Sequence, residues 1–196
     1  MQLNVEIAAR TAFPKNDLFA MHRLRAKVFS GRMGWKVPIM SGMEIDGYDA
    51  MDPYYMMMRE EGGILRGCWR LLPTVGPYML KDTFPEFLHG QPFPEDPRIW
   101  ELSRFAIETD GVQSFGFSDM TMQSISEIIR YGHQNGIAHY VTVTATAIER
   151  MLRRAGLVTR RMGAPLKVGN ETAVAIYVDI EESLHKLGLI HPDLLS

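Results

Sequence analysis

The sequence predicts an α/β fold in which helices cover a mixed sheet, and three observations predict it. Strand-like segments recur along the chain, at residues 2–8, 54–59, 64–72, 99–107, 138–144 and 173–180. Segments with apolar residues at intervals of three and four lie between several of them, and some end on glycine. The second half alternates helix, strand, helix, strand, which favours a sheet of mixed direction. A chain of 196 residues fits one domain, taken here as residues 1–196, and 46% hydrophobic residues are ample for its core.

Leu3, Val5 and Ile7 alternate along the first strand. Asn16 or Asp17 is placed to cap a helix whose face is Leu18, Met21, Leu24, Arg25 and Val28, and which should end near Gly31. Residues 31–52 lack periodicity and read as a long loop of the kind that carries function. Residues 54–59 and 64–72 form a strand pair around the Glu60 to Gly63 turn. The proline-rich stretch 72–98 reads as a meander with short helical turns, burying Tyr78, Met79, Leu80, Phe84, Phe87, Leu88 and Phe93. After the strand at 99–107, Ser118 or Asp119 can cap a helix bearing Met122, Ile125, Ile128 and Ile129, with Gly136 past its end. The β-branched strand 138–144 precedes a helix bearing Ile148, Met151, Leu152 and Ala155, with Gly156 as its cap. A late strand and a short helix at 181–187 complete the pattern.

Lys+Arg 21 against Asp+Glu 23 supplies no global field for nucleic acid. No apolar run is long enough for a membrane span, and residues 1–13 lack a basic leader with an apolar core, so cytoplasmic residence without membrane insertion is expected. The single cysteine, Cys68, reads as a small buried residue. Six scattered histidines without HExxH, and an acidic run that is no EF-hand, give no metal site.

The polar residues that carry chemistry begin with Arg25, beside an apolar helix face. Phe29 and Trp35 follow, then Glu44, Asp46, Asp49 and Asp52, then Arg70, Glu101 and Arg104 inside strands. Regular alternation would put Glu101, Ser103 and Phe105 on one face and Arg104 on the other. Charges inside strands are costly unless paired, which suggests a core ion network, with Arg70 to Glu101 and Arg104 to an Asp. The same residue types suit a zwitterion: arginine for its carboxylate, an acid for its amine, an aromatic face for a cation. Between residues 147 and 170, Arg150, Arg153, Arg154, Arg160, Arg161 and Lys167 face only Glu149, giving either a solvated surface or a dock for an acidic partner.

The segments HRLRAKVF, GWKV, MEIDGYD, GCWRLL, GPYMLKDTFPE and WELSRFAI, followed by GFSD, VTVTAT and RRAGL, resemble the acyl-homoserine-lactone synthase family over nearly the whole chain. That resemblance implies a three-layer α-β-α fold with a mixed central sheet, similar to N-acetyltransferases. It implies two substrates, S-adenosylmethionine and an acyl carrier protein bearing a fatty acyl thioester, with no further cofactor. Products would be the acyl-homoserine lactone, methylthioadenosine and free carrier protein. Carried onto this chain, Arg25, Phe29, Trp35, Asp46, Asp49 and Phe84 bind substrate, and Glu101, Arg70 and Arg104 form the catalytic group. An acyl pocket would draw on Leu102, Met122, Val141, Thr142, Val143, Thr144, Ile148, Met151 and Leu152, one threonine contacting the 3-position. Arg150, Arg154, Arg161 and Lys167 would dock the carrier protein.

The alternatives are an ordinary acyl-CoA N-acyltransferase and a ligand sensor without turnover. The first would carry [RQ]-x-x-G-x-[GA] for pyrophosphate, and both RRAGLV and RRMGAP miss its last position. Nothing in the intact polar set suggests the second.

Overall fold

A computed structural model describes residues 3–108, 119–168 and 171–189 of the chain. Two compact units divide it, Met1–Leu72 with Leu102–Ser114 and Pro73–Glu101 with Phe115–Ser196.

In the first unit, strand β1 (Asn4–Ala9) leads into helix α1 (Lys15–Ala26). The short hairpin β2 (Ile39–Met40) and β3 (Met43–Glu44) follows, then the antiparallel pair β4 (Tyr54–Arg59) and β5 (Leu65–Pro73). Its strand order is β1-β4-β5, continued by the strand that returns from the second unit. Gly62 and Gly63 both hold positive φ in the β4–β5 turn, as the sequence requires of that Glu-Gly-Gly segment. The core of this unit gathers Phe13, Met21, Leu24, Val28, Phe29, Tyr55, Met57, Cys68 and Ala106. Cys68 is buried as expected, and burial pushes its thiol up to about 12, where it is inert as a nucleophile at neutral pH.

The second unit opens with helix α2 (Met79–Asp82) and a 3₁₀ turn at Pro85–Leu88. Strand β6 (Ile99–Ile107) follows, then α3 (Asp119–Gln134), β7 (His139–Ala145) and α4 (Thr146–Arg154). The short strands β8 (Val158–Arg161) and β9 (Leu166–Val168) precede β10 (Glu171–Asp179) and α5 (Ile180–Lys186). β6 and β7 run parallel, whereas β10 is antiparallel to β7, β8 and β9, so the expected mixture of strand directions is found. Every long predicted strand is present.

The differences have local causes. α1 starts at Lys15, after the extended Pro14, with no side-chain cap, so neither Asn16 nor Asp17 serves as one. Regular helix stops at Ala26 and continues as a wider π-turn to Arg32, carrying the chain past Gly31. Residues 31–52 are not all loop: they hold the β2–β3 hairpin and a 3₁₀ turn at Gly47–Ala50. Phe93 is exposed, with the Lys81 ammonium 4.3 Å from its ring, and Phe84 is half-buried; the other five residues expected to be buried in the 72–98 meander, Tyr78, Met79, Leu80, Phe87 and Leu88, are so. On α4 the inward residues are Glu149 and Leu152, while Ile148 is exposed. β8 and β9 had no signature, because each is short and polar and is defined by pairing with β10. Ser118, one of two suggested caps for α3, lies outside the described residues.

Candidate active site

The π-turn, the β2–β3 hairpin and the 3₁₀ turn place the charged residues of the first unit in one cluster. Arg25 leaves α1 fully buried and donates from Nε to Glu44 at 2.5 Å and from both terminal nitrogens to the two Asp49 oxygens at 2.8 and 3.0 Å. Arg70, also fully buried on β5, reaches both Asp46 oxygens at 2.5 and 3.0 Å, Asp49 at 3.0 Å and Ser103 Oγ at 3.2 Å. Arg104 bonds Glu44 at 3.1 Å and Asp46 at 2.9 Å. Three guanidinium groups thus meet three carboxylates. Asp46 and Asp49 also close a capping box, each side chain taking a backbone N–H of the 3₁₀ turn, so the acids are fixed before any partner arrives.

Asp49 is saturated. It accepts from Arg25 twice, from Arg70, from the Asp46 N–H and from the Tyr55 hydroxyl at 2.6 Å. Burial alone would raise its pKa, but the Arg25 and Arg70 charges and their hydrogen bonds hold the carboxyl well below the usual range. Burial likewise raises the Tyr55 hydroxyl, with the Asp49 charge adding to it. Burial opposes the charge on Arg25, and Asp49 and Glu44 more than offset it. His22 donates from Nδ1 to the Glu44 carbonyl at 2.8 Å, and burial beside Arg25 lowers its pKa.

These shifts set an acid limit. Both depressed groups bind protons more readily when unfolded, so stability falls as pH drops below about 6.5 for His22 and below about 3.9 for Asp49. Urea unfolding midpoints are expected to be flat only between about pH 7 and 8, to decline in two stages below that, and to decline again at alkaline pH as the buried Cys68 thiol and Tyr55 hydroxyl ionise more readily in the unfolded chain; a midpoint that rises on acidification from about pH 7 would contradict this cluster.

Alternation along β6 fails at one residue. Arg104 has φ of 56°, a left-handed conformation in a non-glycine strand residue. Ser103 and Arg104 therefore both reach the cluster, correcting the expectation that Arg104 faces away. The strain costs about 1–3 kcal/mol, and the two ion pairs of Arg104 offset it. Arg70 is engaged by Asp46 and Asp49, and the expected Arg104–Asp pair is found.

Beside the cluster, the Phe29 and Trp35 rings stack with centroids 5.4 Å apart and planes nearly parallel, and the Arg104 guanidinium lies 5.7 Å from the Phe29 centroid. Trp35 keeps 42% of its surface exposed, so a flat face remains open. Among the predicted binding residues, exposure is thus concentrated at Trp35, with Arg104 and Asp46 partly accessible; Arg25 and Asp49 are interior.

In the second unit the Glu101 carboxylate accepts the Met79 N–H at 2.9 Å and the Leu80 N–H at 2.7 Å, the first two amides of α2. Phe84 opens the 3₁₀ turn and meets Phe87 edge-on at 6.2 Å. Register with β10 puts Thr142 and Thr144 on one face of β7, with Tyr140, and Val141 and Val143 on the other. The Tyr140 hydroxyl donates to the Ile128 carbonyl of α3, so α3 covers the threonine face. The acyl-pocket set is accordingly split between two faces. Leu102, Val141 and Leu152 are buried, Met122 and Met151 half-buried.

Arg150, Arg154 and Lys167 are exposed, but Arg161 is gripped by Glu149 at 2.8 and 2.6 Å. Glu44, Ser103, Tyr55, His22 and Tyr48, whose ring faces Arg70 at 5.4 Å, complete the cluster without having been predicted as site residues. Glu44 alone had a signal, its place in the acidic run. Among the described residues, no group of three or more His, Cys, Asp or Glu is placed to hold a metal ion, and no helix is long and apolar enough to cross a membrane.

Residues 10–187 match the family described as autoinducer synthase. The acyl-homoserine-lactone synthase of Pseudomonas aeruginosa is 51% identical over 178 residues, covering 90% of this chain and 89% of that protein. The crystal structure of the synthase LasI superposes with a TM-score of 0.86 at 49% identity, covering 95% of each chain. A CoA-dependent synthase, BjaI, solved with S-adenosylmethionine and isopentyl-CoA, gives 0.86 at 26% identity, covering 98% of this chain and 90% of that one. An acyl-CoA N-acyltransferase of P. aeruginosa shares the fold, at 14% identity and a TM-score of 0.61 over 90% and 99% of the two chains. The N-acetyltransferase-like architecture is therefore shown.

Proposed function

The chain belongs to the autoinducer synthase family and is an acyltransferase that makes acyl-homoserine lactones; on that premise we propose that it joins S-adenosylmethionine to an acyl group delivered on acyl carrier protein. The observation that carries the amine side is the cluster of three arginines and three acids beside an exposed tryptophan face.

Because Arg25, Glu44 and Asp49 are interior and satisfied, their part is to hold the partly accessible Arg104 and Asp46 in place. Arg104 is the group for the substrate carboxylate, and Trp35 the platform for its adenine. Asp46 lies where a sulfonium or ammonium is favoured, and its charge is already shared with two arginines. That sharing keeps it from opposing loss of the sulfonium.

The α-amine of the substrate, with an ordinary pKa of roughly 7.7–8.0, must be neutral to attack a thioester. A modest base suffices, and Glu101 is assigned that role through a water. Its oxygens accept the Met79 and Leu80 N–H groups, which fix the orientation of the carboxylate. Nitrogen attacks the thioester carbonyl, the carrier thiol leaves, and the proton passes by water to Glu101. The substrate carboxylate then attacks its own γ-carbon and expels methylthioadenosine, closing the lactone. That second step needs proximity rather than a further base.

The acyl chain is assigned to the α3-covered face of β7, where Thr142 and Thr144 both stand. β7 runs on from Tyr140 while α3 runs back from Gly132, so Met122 at the α3 start falls beside the far end of that face.

Purified protein incubated with S-adenosylmethionine and carrier proteins bearing short, medium and long acyl chains should release lactone and methylthioadenosine together. Release of neither from any carrier, with turnover of acyl-CoA, would overturn the donor assignment. Arg150→Glu with Arg154→Glu should raise the KM for acylated carrier protein by about tenfold or more and leave that for S-adenosylmethionine unchanged; equal kinetics toward the carrier would remove α4 from the docking surface.

A further inference from the structure

We infer that His89 and Gln91 are positioning residues for the acyl donor, clamping the 162–164 backbone between the basic strands β8 and β9. This rests on the reading that the donor is a carrier protein.

His89 follows the 3₁₀ turn in a left-handed conformation, φ 51° and ψ 39°, and Gly90 after it also has positive φ. The imidazole Nε2 lies 2.8 Å from the Ala164 carbonyl, so that nitrogen carries the proton and donates. The Cδ2 edge of the ring lies close against Gly163: a Cβ there would sit 2.0 Å from Cδ2 and 2.7 Å from Nε2. Gln91 Nε2 donates to the Met162 carbonyl at 3.0 Å. Two side chains from one segment thus hold three consecutive residues of another, more than seventy positions away in sequence.

Each end of this clamp leads to a proposed function. The held residues connect β8 to β9, which carry the exposed Arg160, Arg161 and Lys167. Arg161 is neutralised by Glu149, which leaves Arg160 and Lys167 as cations on either side of the 162–165 connection, each on a strand that pairs with β10. At the other end, the 3₁₀ turn begins at Phe84, whose N–H bonds the Met79 carbonyl, and the Met79 and Leu80 amides hold Glu101. An unbroken series of hydrogen bonds and short chain segments therefore runs from the docking cations to the assigned base. None of His89, Gln91 or Gly163 belongs to the charged cluster.

The test is steady-state kinetics of the full chain, varying acylated carrier protein and S-adenosylmethionine separately, with thermal midpoints alongside. His89→Ala and Gln91→Ala should each raise the KM for the carrier about three- to tenfold, the range expected for one hydrogen bond. The KM for S-adenosylmethionine should not move, and the midpoint should fall by no more than about 6 °C. Gly163→Ala should reproduce His89→Ala by displacing the ring, and the double variant should be no worse than either single one. An unchanged carrier KM in His89→Ala, an equal rise in both KM values, or fully additive effects would overturn the clamp. A wild-type protein that rejects every acylated carrier would instead overturn the donor reading, before any variant is compared.

Discussion

Arg25→Ala is expected to lower the thermal midpoint by roughly 10 °C or more and to abolish lactone synthesis. The side chain is fully buried, and removing it leaves Glu44 without its Nε and Nη partners and Asp49 without two of its five donors. Breaking a buried pair from one side costs about 3–5 kcal/mol, because the remaining charge stays in a poorly solvated place. For a chain of this length each kcal/mol moves the midpoint by about 2–4 °C. Arg25→Lys should recover little, since one ammonium cannot span two carboxylates with the planar fork that Arg25 uses. Differential scanning calorimetry checks both. A midpoint within error of the wild type would mean that the cluster is solvated and that its members act on substrate directly.

Glu101→Gln separates chemistry from architecture. Glutamine keeps one carbonyl oxygen for the α2 amides, so the segment should fold, while the base is gone. The expected loss is about 10²–10⁴ in kcat, the usual contribution of a positioned base, with S-adenosylmethionine affinity within about threefold of wild type. Raising pH should recover part of the loss, because deprotonation of the substrate amine by solvent replaces the missing step. A fall in affinity matching the fall in kcat would make Glu101 an anchor for α2 and nothing more.

What the sequence disclosed followed the strength of its periodic signals. Strands Tyr54–Arg59 and Ile99–Ile107 were legible to the residue, since apolar runs bounded by proline, glycine or arginine define them. The chemistry of Arg25, Asp46, Asp49, Arg70 and Arg104 was legible as a choice between ion network and ligand site, and the structure shows that network. Its inner and outer members were not separable, because exposure depends on where four distant segments meet. Alternation gave the wrong face for Arg104, since a single left-handed φ in a strand leaves no mark on hydrophobic pattern. His22 and Tyr55 were invisible for a related reason: an apolar helix face and a strand interior hide a polar atom aimed at a buried partner. Arg161 read as one more surface cation, and only tertiary contact reveals that Glu149 cancels it.

The charged cluster also has a consequence for how the chain acquires its activity. Its members come from α1, the hairpin, the 3₁₀ turn, β5 and β6, with bonds spanning 19, 24 and 60 positions of sequence. Each loop closure costs entropy that the ion pairs offset only once the site has lost its water, so no subset of the segments is a stable stopping point. Synthesis through Arg104 must therefore finish before the arginines and acids can settle, and a nascent chain released earlier would have no partial activity. The site reports completion of folding in its own unit, all or none.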